Sequence, residues 1–358
     1  MPLIADAVRA ALVPFLAVTG ALLFALVCYV VVLHGVNDLK GRRRSRLRAA
    51  YRRLIDDALY GADAAAALER LRGAPGPHAP VIASLILEPL RVAEGGITDR
   101  AREAAQALGL VRHWMADVQH RRWWVRANAA RALGLLKYRP AVAALIRALD
   151  DPFEDVRAAA VEALGAIRDE SAIPELIVRL REQSRHQRVR LVQALRQFGS
   201  AAVPALLEHA RLEQTRPDGG ELPVVVELLG QIEAAAAADY LLECCGHPRA
   251  EVRAACVRAI GTIGVDDRAF YHVLRALSDD GAEVRSAAAW ALGRSGRPEA
   301  TAYLASCLHD QWVVAAESAR ALRLLGDAGR AALESAAAAT DGELARQMLW
   351  ECGARSRA

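Results

Sequence analysis

The chain has 358 residues, a net charge of +4, only 5% aromatic residues and alanine throughout. That length allows two ordinary domains or one elongated array, and an alanine-rich, aromatic-poor composition suits close-packed helices rather than a sheet of Val, Ile and Tyr. Residues 1–54 hold nine basic side chains against Asp6 and Asp38, a net +7 that leaves −3 for the rest; this excludes a body that grips nucleic acid through clustered positive charge.

From Ala10 to Val36, "AALVPFLAVTGALLFALVCYVVVLHGV", 27 residues contain no Asp, Glu, Lys or Arg. About 20 helical residues cross a hydrocarbon core, so the stretch predicts a single transmembrane helix over 10–36 behind a short extracytoplasmic N-terminus at 1–9. A signal peptide places its positive charge before a shorter apolar run and small residues after it, and here the order is reversed. A basic juxtamembrane segment, 37–54, follows with "LKGRRRSRLRAAYRR". The positive-inside rule keeps this flank in the cytoplasm. The expected localisation is therefore the cytoplasmic (inner) membrane, single-pass, with the N-terminus out and the remainder in the cytoplasm. Lys40, Arg42, Arg43, Arg44, Arg46, Arg48, Arg52 and Arg53 are candidate membrane-surface contacts, each contributing on the order of 1 kcal/mol beside anionic lipid.

Residues 55–96 read as a helical capping region. "DDALYGADAAAALERLRG" forms one helix or two, "APGPHAP" breaks it, and "VIASLILEPLRVAEGG" forms a short apolar helix ending at a double glycine.

The remainder, 97–358, repeats itself. "WVRANAARALG" (124–134), "DVRAAAVEALG" (155–165), "RVRLVQALRQFG" (188–199), "EVRAACVRAIG" (251–261) and "EVRSAAAWALG" (283–293) share one frame, with weaker copies at 99–109, 221–230, 313–323 and 343–353. The glycine positions of the frame, 134, 165, 199, 230, 261, 293, 323 and 353, recur about every thirty residues, with Gly at all of them but 323, which is Arg. Each unit predicts two helices. The first opens after an acidic or turn-like stretch that offers N-caps, buries a stripe such as Val156, Ala160 and Leu164, and reaches a glycine suited to a left-handed cap. The second begins near a proline, as at Pro140 and Pro174. Arg126, Arg157, Arg190, Arg253 and Arg285 recur in the first turn and are expected to tie neighbouring units together rather than to form a functional ladder.

Asp/Glu-Val-Arg, then an alanine-rich helix ending Ala-Leu-Gly, then Ala-Ile-Pro-Glu-Leu resembles the HEAT repeat in the form seen in bacterial membrane-anchored proteins and in phycobilin lyase subunits. The resemblance covers roughly 97–353, is most specific at 155–180, 251–277 and 283–308, and is poor at 200–245. It implies an all-α chain: a right-handed α-solenoid of about seven to eight repeats, here preceded by the single transmembrane helix.

"HRRWWVRANAARALG" (120–134) departs from that frame by placing bulky aromatics and positive charge where other units carry helix-capping acids. His120, Arg121, Arg122, Trp123 and Trp124 are candidate partner-binding residues, being the types enriched in interface hot spots. The alternative is that the tryptophans pack inward against the capping region.

No nucleophile elbow, phosphate loop or zinc-protease motif occurs. The nine histidines are scattered, and the six cysteines form no CxxC. No catalytic residue, metal ligand or cofactor is expected, "LECCGH" (242–247) included. The expected function is a non-enzymatic, membrane-tethered scaffold that binds a partner protein, expected to be another membrane protein, at the cytoplasmic face. The alternative is a lyase or ligand-binding module of the kind that the resemblance to phycobilin lyase subunits implies.

Overall fold

The structure, a computed structural model, describes residues 2–92, 95–181, 185–216, 220–338 and 345–347, except the side chains of 2–22, 33, 35–37, 40, 185 and 186. Among the described residues there are α-helices and short 3-10 turns and no strand. The weak copy at 343–353 lies almost wholly outside them. The chain divides into two compact units, 1–117 and 118–358.

The first unit holds α1 (Pro2–Tyr60), α2 (Ala64–Arg72), α3 (Ala79–Leu87), α4 (Gly96–Ala107) and α5 (Leu110–Asp117). Ile55, Ala58 and Leu59 on α1 pack with Leu71, Ile82, Ile86 and Ala101 in its core. Polar ties reinforce the packing: Arg100 donates to the Leu59 carbonyl at 3.1 Å, Arg72 to that of Ala107 at 3.2 Å, and the Tyr51 hydroxyl meets His78 Nδ1 at 2.9 Å.

One expectation is overturned in this unit. Among the described residues no helix is long and apolar enough to cross a membrane, which corrects the single transmembrane helix over 10–36 and the single-pass, N-terminus-out placement in the inner membrane. Residues 10–22 of that stretch lie outside the residues whose side chains are described. No turn separates the stretch from the basic segment, since α1 continues unbroken to Tyr60.

The second unit stacks helix pairs. Its first helices are α6 (Trp123–Leu135), α8 (Glu154–Ile167), α10 (Arg185–Phe198), α12 (Leu222–Gln231), α14 (Ala250–Ile263), α16 (Ala282–Ser295) and α18 (Trp312–Leu324). Alternating with them are the second helices α7 (Val142–Ala148), α9 (Ile173–Val178), α11 (Val203–Gln214), α13 (Ala238–Cys244), α15 (Asp267–Ala276), α17 (Thr301–Ser306) and α19 (Gly326–Ala337). Among the described residues nineteen α-helices exceed what seven or eight two-helix repeats require. The expected stripes are buried, Val156, Ala160 and Leu164 at 0% exposure.

The recurring glycines do something other than cap. Gly134, Gly165, Gly230, Gly261 and Gly293 lie in the last turn of a first helix, and a Cβ on any of them would come within 2.6 to 2.9 Å of Ala163, Ala194, Ala259, Ala291 or Ala321 on the next first helix. Successive helices therefore touch backbone to backbone, a contact that only a missing side chain permits. The left-handed residue comes three positions later in each unit, at Lys137, Arg168, Glu233, Gly264 and Gly296. The acids before the first helices likewise are not side-chain caps: Arg122, Phe153, Arg249 and Gly281 hold those positions and make no capping bond.

The contacts also shift the frame of one unit. Gly165 faces Ala194, as Gly134 faces Ala163, so Arg196 occupies the glycine position of α10 and Arg188 the position of Arg157. Val189, which the sequence frame aligns with fully buried Val156, is 53% exposed. Arg190 and Gly199 are thus out of register, and α11 has twelve residues where α7 and α13 have seven.

Candidate partner-binding site

Three of the recurring arginines, Arg126, Arg253 and Arg285, are anchored on both sides. Arg253 Nε and Nη2 donate to Asp279 at 2.7 Å each, and its Nη1 donates to the carbonyls of His247 and Pro248. Arg285 makes the same fork to Asp310, and Arg126 makes it to Asp151 at 2.7 and 2.8 Å. Each aspartate in turn accepts a backbone N–H at the entry to the next first helix, from Phe153, Gly281 or Gln311. Hydrogen bonding from arginine holds Asp279 and Asp310 below the ordinary carboxyl range against burial. For Asp151 burial is the largest influence and pushes upward, yet the bonds from Arg126 and Phe153 outweigh it. These arginines are joints between units.

The joint at Arg126 organises the tryptophans. Trp123 stacks on Phe153 of the next unit with centroids 6.0 Å apart and planes 19° from parallel, and it meets Trp124 edge-on. Arg126 lies over the Phe153 ring at 5.7 Å and Arg122 over Trp124 at 5.4 Å. Trp123 is half-buried, whereas Trp124 is 47% and Phe153 46% exposed. His120 turns back to accept the Arg122 N–H on Nδ1, its carbonyl receives Arg126, and the Arg121 carbonyl receives Arg126 as well. Of the five candidates, His120 and Arg121 thus shape the loop, Trp123 joins two units, and Arg122 with Trp124 forms the exposed part. Phe153 was not a candidate in the sequence; its place one residue before a first helix, facing Trp123 across a repeat step, was the available signal. At the register position of Trp123, α18 carries Trp312, 68% exposed beside Val313 at 59%.

The basic candidates of α1 are mostly solvated. Arg42, Arg43, Arg44, Arg46 and Arg53 are exposed; Arg48 pairs with Glu88 at 2.5 Å and Arg52 reaches the same carboxylate at 3.5 Å. The side chain of Lys40 lies outside the described residues.

Two further clusters bear on metal binding. In "LECCGH" the side chains diverge: Cys244 is buried, burial pushes the Cys245 thiol up to about 12, and His247 Nδ1 accepts the Arg249 N–H. The residues that do converge are His209 and Glu213, one turn apart on α11, and Glu221 just before α12, with one donor atom of each within 4.8 Å of the others. Sequence reading missed this group. Its only local signal was the His-x3-Glu spacing, which puts both side chains on one helix face.

A family model described as HEAT repeats matches residues 111–196, 142–219, 238–323 and 272–351. The solved structure of the complex of CpcE and CpcF of phycocyanin lyase from Nostoc sp. PCC7120 includes a chain 24% identical over 67% of this chain and 92% of its own, with a TM-score of 0.32. Importin beta is 13% identical over 79% of this chain and 47% of its own, at 0.50. Kap95 in complex with Nup1 is 13% identical over 82% and 48%, at 0.49. No curated protein matches the sequence.

Proposed function

The chain belongs to the HEAT-repeat family, and we propose that it serves as a non-enzymatic scaffold which holds a partner protein along the edge where its first helices begin. One observation carries this reading: Trp124, Phe153 and Trp312 stand exposed at or beside the starts of first helices, two of them under guanidinium groups. A monomeric helical array gains nothing by leaving such rings in water, where each forgoes about half or more of the roughly 1.5–3 kcal/mol that full burial gives. Rigid aromatic and arginine side chains are also the types that dominate binding energy at protein interfaces.

The fold likeness to importin beta is consistent with an array that offers an extended surface, but fold alone does not carry function. The residues themselves make the case. Trp123 is held by the Phe153 stack, so its truncation is expected to loosen a unit joint; Trp124 touches solvent, so its truncation is expected to leave folding intact.

Cross-linking in the cells that make the protein, followed by mass spectrometry, tests the proposal. A protein recovered reproducibly with the unaltered chain should be lost, or bind roughly thirtyfold more weakly (about 2 kcal/mol), when Trp124→Ala and Phe153→Ala are combined, with the helical circular dichroism unchanged. Undiminished recovery by a folded double variant refutes this edge as the binding surface.

A further inference from the structure

We propose that His209, Glu213 and Glu221 form a three-ligand binding site for a divalent zinc-type ion, which clips the end of α11 to the start of α12. The proposal is independent of the partner-binding reading and lies in a different part of the second unit.

The first argument is an unmet need. His209 Nε2 and Glu221 Oε2 are both buried without a hydrogen-bond partner, and they face each other at 3.6 Å. Glu221 is only 5% and Glu213 only 2% exposed. A separation of 3.6 Å is too long for a hydrogen bond, and a buried polar atom left unsatisfied costs about 1–3 kcal/mol. Folded proteins rarely leave two such atoms pointing at each other.

The second argument is distance. Two ligands held tetrahedrally by a zinc ion at about 2.0–2.2 Å lie roughly 3.4 Å apart, close to the 3.6 Å observed. A bridging water at about 2.8 Å from each partner would want them roughly 4.6 Å apart. The His209–Glu221 separation thus matches a shared metal better than a bridging water, and a Glu213 oxygen lies within 4.8 Å of both.

The third argument is chemistry. One imidazole nitrogen and two carboxylate oxygens, with a fourth position open, form a donor set that zinc accepts and that softer or larger ions match less well. Burial lowers the His209 pKa, which keeps the ring in the neutral form a ligand needs. Burial, then the Glu213 charge, raises the Glu221 carboxyl to about 7, against the opposing charges of Arg188, Arg181 and Arg216. Such a carboxylate gains most from a cation placed beside it. Arg216 binds Glu213 Oε1 at 2.8 Å, occupying one oxygen of that group and orienting it as an outer hydrogen bond does for many metal ligands.

The clip would sit where the repeat devices lapse. The position of Arg188 corresponds to Arg126, Arg253 and Arg285, yet its Nε has no partner, and Glu213 stands where the other units place the aspartate of the fork.

Isothermal titration of the full chain, stripped with chelator and then supplied with ZnCl2, tests the site. The expected result is one zinc ion per chain and a higher melting temperature, with affinity lower by about tenfold or more in His209→Ala and in Glu221→Gln. Absence of zinc binding, or binding that both folded variants retain, overturns the proposal. Should either variant fail to fold, the unaltered chain loaded with Co2+ decides. A tetrahedral visible spectrum without a thiolate charge-transfer band supports the site; a thiolate band, which would place the metal at Cys244 or Cys245, or no tetrahedral spectrum, refutes it.

Discussion

From α14 to α18 every step of the array uses the same two devices: a glycine that brings neighbouring first helices into backbone contact, and an arginine forked onto the aspartate that leads into the next unit. Between α10 and α12 both are missing. Arg196 stands in the glycine position, and Arg188 has an unpartnered Nε where its counterparts bind aspartate. The unsatisfied buried atoms of His209, Glu221 and Arg188 gather in this same place. Regular repeats satisfy their polar groups by a fixed recipe, and where the recipe lapses the burden falls on individual residues.

Gly293→Leu is expected to break the regular region outright. The new side chain would start 2.6 Å from the Ala321 Cα, and backbone cannot retreat as a flexible side chain does. We expect a loss above about 4 kcal/mol, at the severe end for single substitutions, read as loss of cooperative thermal unfolding. A stable Gly293→Leu protein would show that the close approach is dispensable.

Arg253→Ala should cost about 2–3 kcal/mol at neutral pH, since it strips a charge-assisted fork from a mostly buried carboxylate and two carbonyls. Acid sharpens the test. The folded pKa of Asp279 is depressed, so the stability it confers is present above the unfolded value near 3.8 and is lost as the pH falls through the folded one. Urea titrations should show the deficit of the variant shrinking below about pH 4; a deficit independent of pH would mean the arginine acts by packing alone.

Arg196→Ala in the irregular region should change stability by less than about 0.5 kcal/mol, because the side chain is exposed. A thermal melt that drops by several degrees would show that α10 depends on Arg196 as its neighbours depend on glycine.

These differences explain what could be read from the sequence. The two-helix unit was legible because Val-Arg, Ala-Leu and Gly recur at helical spacing, and the buried stripes of α8 and α14 follow from it directly. The role of the glycines was not, since a glycine near a helix end reads equally as a cap or as a close approach and only the neighbouring helix tells them apart. In α10, Val189-Arg190 and Gly199 imitate the repeat frame two and three residues out of place, and the error shows only once Ala194 is seen against Gly165. Trp123 and Trp124 stood out as a departure from the frame, but their split into a joint and an exposed ring required Phe153. His209, Glu213 and Glu221 stayed hidden because they converge through a connection of irregular length. The apolar run at 10–36 reads from composition as a span, whereas among the described residues no helix has the length and apolarity to cross a membrane.

The double duty of Asp151, Asp279 and Asp310 has a consequence for how the array comes apart. Each aspartate holds the arginine of one unit while fixing the entry of the next, so every unit lends stability to its neighbour and to no other. An array coupled in this nearest-neighbour way behaves like a one-dimensional chain of spins. Its melting propagates until it meets a weak bond, and the steps that start at α10 and α12, where Arg188 Nε is unpartnered and Leu222 replaces the arginine, are such bonds, so the forked stretch from α14 to α18 should melt as a block of its own.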